Sequence, residues 1–158
     1  MKKIITGPKQ IIRSKMENIN ISEDQTEILN KFYMNCLDPS QKDLHKLITQ
    51  ELSKKQRSYK EQDISKKIFC PNTIINTEQI INKLVSSKLK CHYCKTSTLI
   101  LYKYKREPKQ WTLDRIDNSI GHTDINTLIS CLQCNLQRRN INKDKFLFTK
   151  QLKIVKSN

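Results

Sequence analysis

Between Cys91 and Asn135 the chain reads Cys91-His92-Tyr93-Cys94, then Trp111-Thr112-Leu113-Asp114-Arg115-Ile116-Asp117-Asn118-Ser119-Ile120-Gly121-His122, and closes with Cys131-Leu132-Gln133-Cys134-Asn135. The two Cys-x-x-Cys pairs are the strongest signal. A two-residue gap lets both thiolates of a pair reach one tetrahedral ion, and four thiolates complete its coordination sphere. The spacing therefore predicts a structural zinc held by Cys91, Cys94, Cys131 and Cys134. Metal binding would then be part of folding, and the apo segment would fold poorly. The alternative of two disulfides belongs to an oxidising compartment. Cys36 and Cys70 have no partners at such spacing and read as ordinary buried thiols. His92 and His45 read as surface or packing residues.

Working outward from the cysteines, Thr98 to Tyr102 reads as a strand, 106–109 as a turn, and Trp111 to Asp114 as the returning strand of a hairpin. Loop residues run to Asn126, and the second cysteine pair opens a helix expected from Cys134 to Phe148. Leu99, Leu101, Trp111, Phe146 and Phe148 supply a small core. Gly7 and Gly121 are the only glycines, so Gly121, inside the densest motif, points to a backbone requirement there.

Upstream, Ser22-Glu23-Asp24-Gln25 has the form of a capping box. Ile28, Leu29, Phe32 and Tyr33 then recur at helical spacing to about Leu37, where Asp38-Pro39-Ser40 interrupts. Leu44, Leu47, Ile48 and Leu52 predict a second helix. Residues 53–69 are strongly basic and ambiguous. Thr77-Glu78-Gln79 caps a third helix carrying Ile80, Ile81, Leu84 and Val85. The expected organisation is a basic flexible arm (1–20), a helical region (21–90), a zinc-stapled module (91–150) and a basic tail (151–158). The fold class is α+β.

Lys and Arg number 30 against 15 Asp and Glu, a formal charge of +15. Such a surplus suits a polyanionic partner, because each neutralised phosphate releases counterions. A highly solvated surface is the other reading of the same charge. No apolar run approaches the ~20 residues needed to span a bilayer. Met1-Lys2-Lys3 is followed by only Ile4-Ile5 before Thr6-Gly7-Pro8, too short for a secretory h-region. These features predict an intracellular protein, in the cytoplasm or nucleus of the cell that makes it, with reduced thiols and no membrane partner.

The combined pattern, Cys-x-x-Cys, Leu113-Asp114-Arg115-Ile116-Asp117-Asn118, Gly121-His122, Asn126 and Cys131-x-x-Cys134-Asn135, resembles the HNH (ββα-metal) nucleases. The match is to a zinc-ribbon-like subtype common in bacteriophages and large DNA viruses. The resemblance covers 91–148 and leaves the N-terminal half unexplained. It implies a treble-clef-like ββα-metal fold and an endonuclease hydrolysing phosphodiester bonds of nucleic acid, DNA foremost. Carried across, Asp114 and Asn135 hold one divalent ion, and their oxygen ligands suit Mg²⁺ or Mn²⁺. Asn126 pins the loop and orients the base. In such modules the final helix lies against the minor groove, so Arg138, Arg139 and Lys143 would contact phosphates.

One position departs from the family. Where the typical enzyme carries its general-base histidine, this chain carries Arg115. Arginine stays charged and cannot deprotonate water. It can clamp a phosphate or stabilise transition-state charge. His122 is the nearest titratable candidate, and an ordinary pKa near 6.5 suits a base. Asp117 is another, as base or as an extra metal ligand. Three functions stay open: an active endonuclease; a catalytically weakened or inactive zinc-binding module that grips nucleic acid; and a treble-clef-like protein-interaction module whose charge is incidental.

Overall fold

The computed structural model describes residues 11–16 and 24–152. Among them are five α-helices and one two-stranded antiparallel sheet. Asp24 caps α1 (Gln25–Tyr33), its side chain accepting from the Thr26 N–H at 2.9 Å. The capping box expected at Ser22 lies outside the described residues.

Asp38 and Gln41 form a capping box around a short 3-10 turn that leads straight into α2 (Lys42–Ser65). This helix has 24 residues and continues through the basic stretch that the sequence leaves ambiguous. A buried stripe at helical spacing explains its length: Leu47, Ile48, Leu52, Tyr59 and Asp63. Lys54, Arg57 and Lys60 occupy the exposed face. Asn76 and Gln79 form a second capping box at the start of α3 (Thr77–Ser86), which buries Ile80 and Leu84.

Strand β1 (Trp111–Arg115) pairs with β2 (Thr127–Cys131), Trp111 opposite Cys131 and Asp114 opposite Leu128. This corrects the expected hairpin, whose partner strand was 98–102. Among the described residues that segment makes a single bridge, Leu99 to Gln110. Its backbone is occupied by a side chain instead. Gln25 Oε1 accepts from the N–H groups of Ile100 (2.7 Å) and Leu101 (3.0 Å), and Gln25 Nε2 donates to the Leu101 carbonyl at 2.8 Å. One buried primary amide thus does the work of a neighbouring strand.

After β2, α4 (Leu132–Arg138) begins on Cys131 and stops at Arg139, whose φ of 50° lies in the left-handed region. Asn142 then caps a separate α5 (Lys143–Gln151). The single helix expected from Cys134 to Phe148 is therefore two. Phe146 is buried, but Phe148 is 66% exposed and belongs to no core.

One hydrophobic cluster joins Leu29, Leu52 and Leu84 to Leu101, Trp111, Leu113 and Ile129. The helical half and the cysteine-bearing half therefore share a core, and the boundary drawn at 90/91 is not a packing boundary. A smaller cluster gathers Cys91, Tyr93, Cys131, Cys134 and Phe146. Residues 11–16, expected within a flexible arm, pack on the same body. Met16 is buried, the Arg13 N–H donates to the Lys103 carbonyl at 2.9 Å, and the Arg13 guanidinium pairs with Glu51. The rest of that arm, and tail residues 153–158, lie outside the described residues. No described helix is long and apolar enough to cross a membrane.

Candidate functional site

The four paired cysteines converge. Their Sγ atoms all lie within 4.8 Å of one another, and Cys94 Sγ and Cys131 Sγ are 3.9 Å apart. A tetrahedral zinc with Zn–S bonds of ~2.3 Å needs sulfurs roughly 3.8 Å apart, so the donor set and its spacing fit the ion. The first pair is held by a tight turn in which the Cys91 N–H donates to the Thr96 carbonyl (2.9 Å) and Lys95 N–H to the Cys91 carbonyl (3.0 Å). The second pair is held by α4, where Cys134 N–H donates to Cys131 Sγ at 3.4 Å. The His92 N–H donates to the Ile129 carbonyl at 2.9 Å and ties the first turn to β2. The hydrogen bond from Cys131 lowers the Cys91 thiol, whereas burial raises Cys134. A shared divalent cation favours the thiolate at all four.

Beside this cluster lies a cleft of about 670 Å³ between α2 and α4, with β1 as its floor. Asp114, Arg115, His122 and Asn135 all line it. Asn126 does not line it, and neither do Asp117, Arg138 and Lys143; Arg139 stands at its exposed rim.

Asp114 is 5% exposed. Its Oδ2 accepts from the Tyr93 hydroxyl and from the Arg138 guanidinium, the latter at 2.7 Å. Its Oδ1 has no partner among the described residues. Burial first, then the Asp114 carboxylate, pushes the Tyr93 phenol far above its ordinary range, so it stays a donor. Asn135 Nδ2 donates to Thr112 Oγ1 at 3.0 Å, which fixes the amide in the cleft wall. The Asn135 amide therefore lies in the same cleft as Asp114, its Nδ2 committed to Thr112.

Arg138 stands apart from the expected phosphate contacts. It is 2% exposed. Besides Asp114, its guanidinium donates to the carbonyls of Arg115, Ile116 (2.9 Å) and Ile141 (2.9 Å). All of its reach is spent inside the fold. Arg139 and Lys143 are on the surface, Lys143 paired with Asp144 at 3.0 Å.

Asn126 clasps the loop that carries His122. Its Oδ1 accepts from Asp117 N–H at 2.9 Å, and its Nδ2 donates to the carbonyls of Asp117 (2.9 Å) and Gly121 (3.1 Å). Asp117 turns away toward Ser119, whose side chain and N–H hold its carboxyl below the usual range. Arg115 points its guanidinium at the carbonyls of Asn118 (3.1 Å) and Ile120 (3.4 Å).

The sequence reading missed the contribution of α2. Three of its residues, spaced four apart, reach the edge of β1 and the loop beyond. Lys55 Nζ donates to the Trp111 carbonyl, Tyr59 Oη accepts from Leu113 N–H at 2.9 Å, and Asp63 meets His122. His122 Nδ1 lies 2.6 Å from Asp63 Oδ1, and His122 N–H donates to Asp63 Oδ2 at 2.7 Å. A Cβ on Gly121 would stand 2.7 Å from that same Oδ2 and 2.9 Å from the Ile68 carbonyl. Only glycine admits this approach. The signal was present as a tyrosine and an aspartate continuing the apolar stripe of α2 at helical spacing, seven residues after Leu52 and four further on.

Comparison of the chain with protein-family models, with curated proteins and with solved structures returns no match. The class that fold and site define is a mixed α+β protein with a four-cysteine site able to bind a metal such as zinc.

Proposed function

We propose that this protein is a zinc-stabilised, metal-dependent endonuclease acting on nucleic acid, DNA foremost. The observation that carries the reading is the gathering of Asp114, Asn135, Arg115 and His122 in one cleft, with Asn135 next in sequence to Cys134 of the four-cysteine cluster. The resemblance of 91–148 to the HNH nucleases supplies the roles. The free Oδ1 of Asp114 and the side-chain oxygen of Asn135 would hold Mg²⁺ or Mn²⁺. When bound, that ion neutralises charge on the scissile phosphate. His122 accepts the proton of the attacking water, and Arg115 stabilises charge on the phosphoryl oxygens. Asn126 holds the loop that positions both. The +15 surplus supplies salt-sensitive affinity for the phosphate backbone.

A second reading has its own support. The Arg138 guanidinium already neutralises Asp114 at 2.7 Å, and an arginine stands where the family keeps its base. Both features fit a module that grips nucleic acid without cutting it.

Supercoiled plasmid incubated with the protein and Mg²⁺ or Mn²⁺ decides between them. Nicking that disappears in Asp114→Ala supports the enzyme. Salt-sensitive binding with no nicking under either ion supports the second reading.

A further inference from the structure

The N-terminal half holds a carboxylate against the proposed base, and nothing in the cysteine-bearing segment does so. Resting on the nuclease reading, we propose that Asp63 is the positioning residue for His122: from α2 it fixes the proton on Nδ1 and aims the bare Nε2 into the cleft.

Both oxygens of Asp63 are committed to His122. Oδ2 accepts the backbone N–H at 2.7 Å, and Oδ1 faces ring Nδ1 at 2.6 Å. A carboxylate can only accept, so the ring proton sits on Nδ1 and the lone pair on Nε2. The pair is buried: Asp63 is 1% exposed and His122 3%. Nε2 has no hydrogen-bond partner among the described residues, and His122 lines the cleft that also holds Asp114 and Arg115. The Tyr59 ring packs on the imidazole with centroids 4.6 Å apart, and Ile75 N–H holds the His122 carbonyl at 2.8 Å. Asp63 and Tyr59 thus hold the ring, and Ile75 holds the backbone that carries it.

Burial, the largest cause, disfavours the imidazolium, and Arg115 and Lys66 act with it; Asp63 favours it, and the net shift is downward. The ring is therefore neutral near pH 7 and free to accept. In the reaction, Nε2 takes the proton of the attacking water as its oxygen bonds to phosphorus. The bond to the leaving oxygen breaks, and that oxygen is protonated from solvent. Asp63 then stabilises the imidazolium formed, as a buried carboxylate behind a histidine base does. The helical half is on this account a wall of the active site and not an appendage.

The test combines nitrogen NMR of the histidines, on the full chain loaded with zinc, with plasmid nicking across pH. Wild type is expected to show His122 with Nδ1 protonated and Nε2 bare; the opposite tautomer overturns the proposal. This measurement requires no variant to fold. His122→Ala is expected to lower the nicking rate on the order of 10²-fold or more. Asp63→Asn should lower it by a similar order and displace the acid limb of the pH profile. The double variant should be no slower than His122→Ala alone. An Asp63→Asn protein with an unchanged rate and profile overturns the proposal, since a purely structural contact would leave the profile in place. A wild-type chain that nicks with neither ion overturns the nuclease reading instead, and the ring tautomer still decides whether Asp63 holds His122.

Discussion

Tyr93, the third residue of the first cysteine turn, donates its hydroxyl to the buried carboxylate of Asp114 on β1. The contact links the cysteine cluster to the carboxylate proposed to hold the second metal. Whatever fixes the cysteine turn also fixes one oxygen of Asp114, while the other has no partner among the described residues. Tyr93→Phe keeps the ring and its edge contact with Phe146, 4.8 Å between centroids. It removes only the donor. We expect a cost of about 1–3 kcal/mol in chemical denaturation and a reduced nicking rate with zinc content unchanged. A Tyr93→Phe protein as stable and as active as wild type would mean that Asp114 is held by Arg138 alone.

Removing a thiolate tests the clasp itself. Cys131 is a cluster sulfur, the N-cap of α4 and a member of the second hydrophobic cluster. Cys131→Ser should lose bound zinc, measured by elemental analysis, and with it the docking of Phe146 and α5. Structural zinc sites of this type contribute apparent binding free energies of about 10–16 kcal/mol near neutral pH. Chelator treatment of the wild type should therefore collapse its amide NMR spectrum around 91–96 and 127–138. Retention of a dispersed spectrum there without metal would show that the shared core suffices.

The cysteine cluster was legible because its ligands are fixed by local spacing: two residues of gap bring two sulfurs together whatever lies between the pairs. The hairpin was not legible. Thr98 to Tyr102 has a strand's composition, yet its backbone groups are taken by Gln25, more than seventy residues earlier, and no local pattern encodes that. The Asp63–His122 pair was hidden for the same reason. Arg138 failed differently. A helical arginine beside Arg139 looks like phosphate-binding charge, and only the tertiary fold turns it inward onto Asp114.

That inward turn gives two arginines opposite expected behaviour. Arg138 is the buried counter-charge of Asp114, so Arg138→Ala should strand a carboxylate and cost about 3–5 kcal/mol. The loss should be partly recovered in Arg138→Ala with Asp114→Asn. Arg139→Ala should leave stability within about 0.5 kcal/mol. If Arg139 touches one phosphate, its removal should flatten the dependence of log affinity on log salt by about 0.9. Unfolding curves and a binding titration over a salt series check both. An Arg138→Ala protein of normal stability would show that Asp114 does not need its ion pair.

Burial, the largest cause, holds the pKa of His122 below its ordinary value, against the opposing pull of Asp63. The consequence for stability has a definite sign. Between the lowered folded value and the unfolded value near 6.5, the unfolded chain binds more protons, so stability rises with pH across that window. The contribution of a neutral His122 is complete above about 6.5 and is lost as pH falls toward the folded value. His92, also lowered chiefly by burial, acts in the same direction. Wild type should therefore lose stability on acidification below about pH 6.5, and His122→Ala should lose less over the same range. Nicking should show an acid limb below that pH, because a protonated Nε2 accepts nothing, and that limb should be absent from whatever activity His122→Ala retains. Denaturation midpoints measured from pH 7.5 to 5 in both proteins check the first statement, and the rate profiles check the second. A wild-type acid limb that persists in His122→Ala would transfer the titrating role to another group and remove His122 from the chemistry.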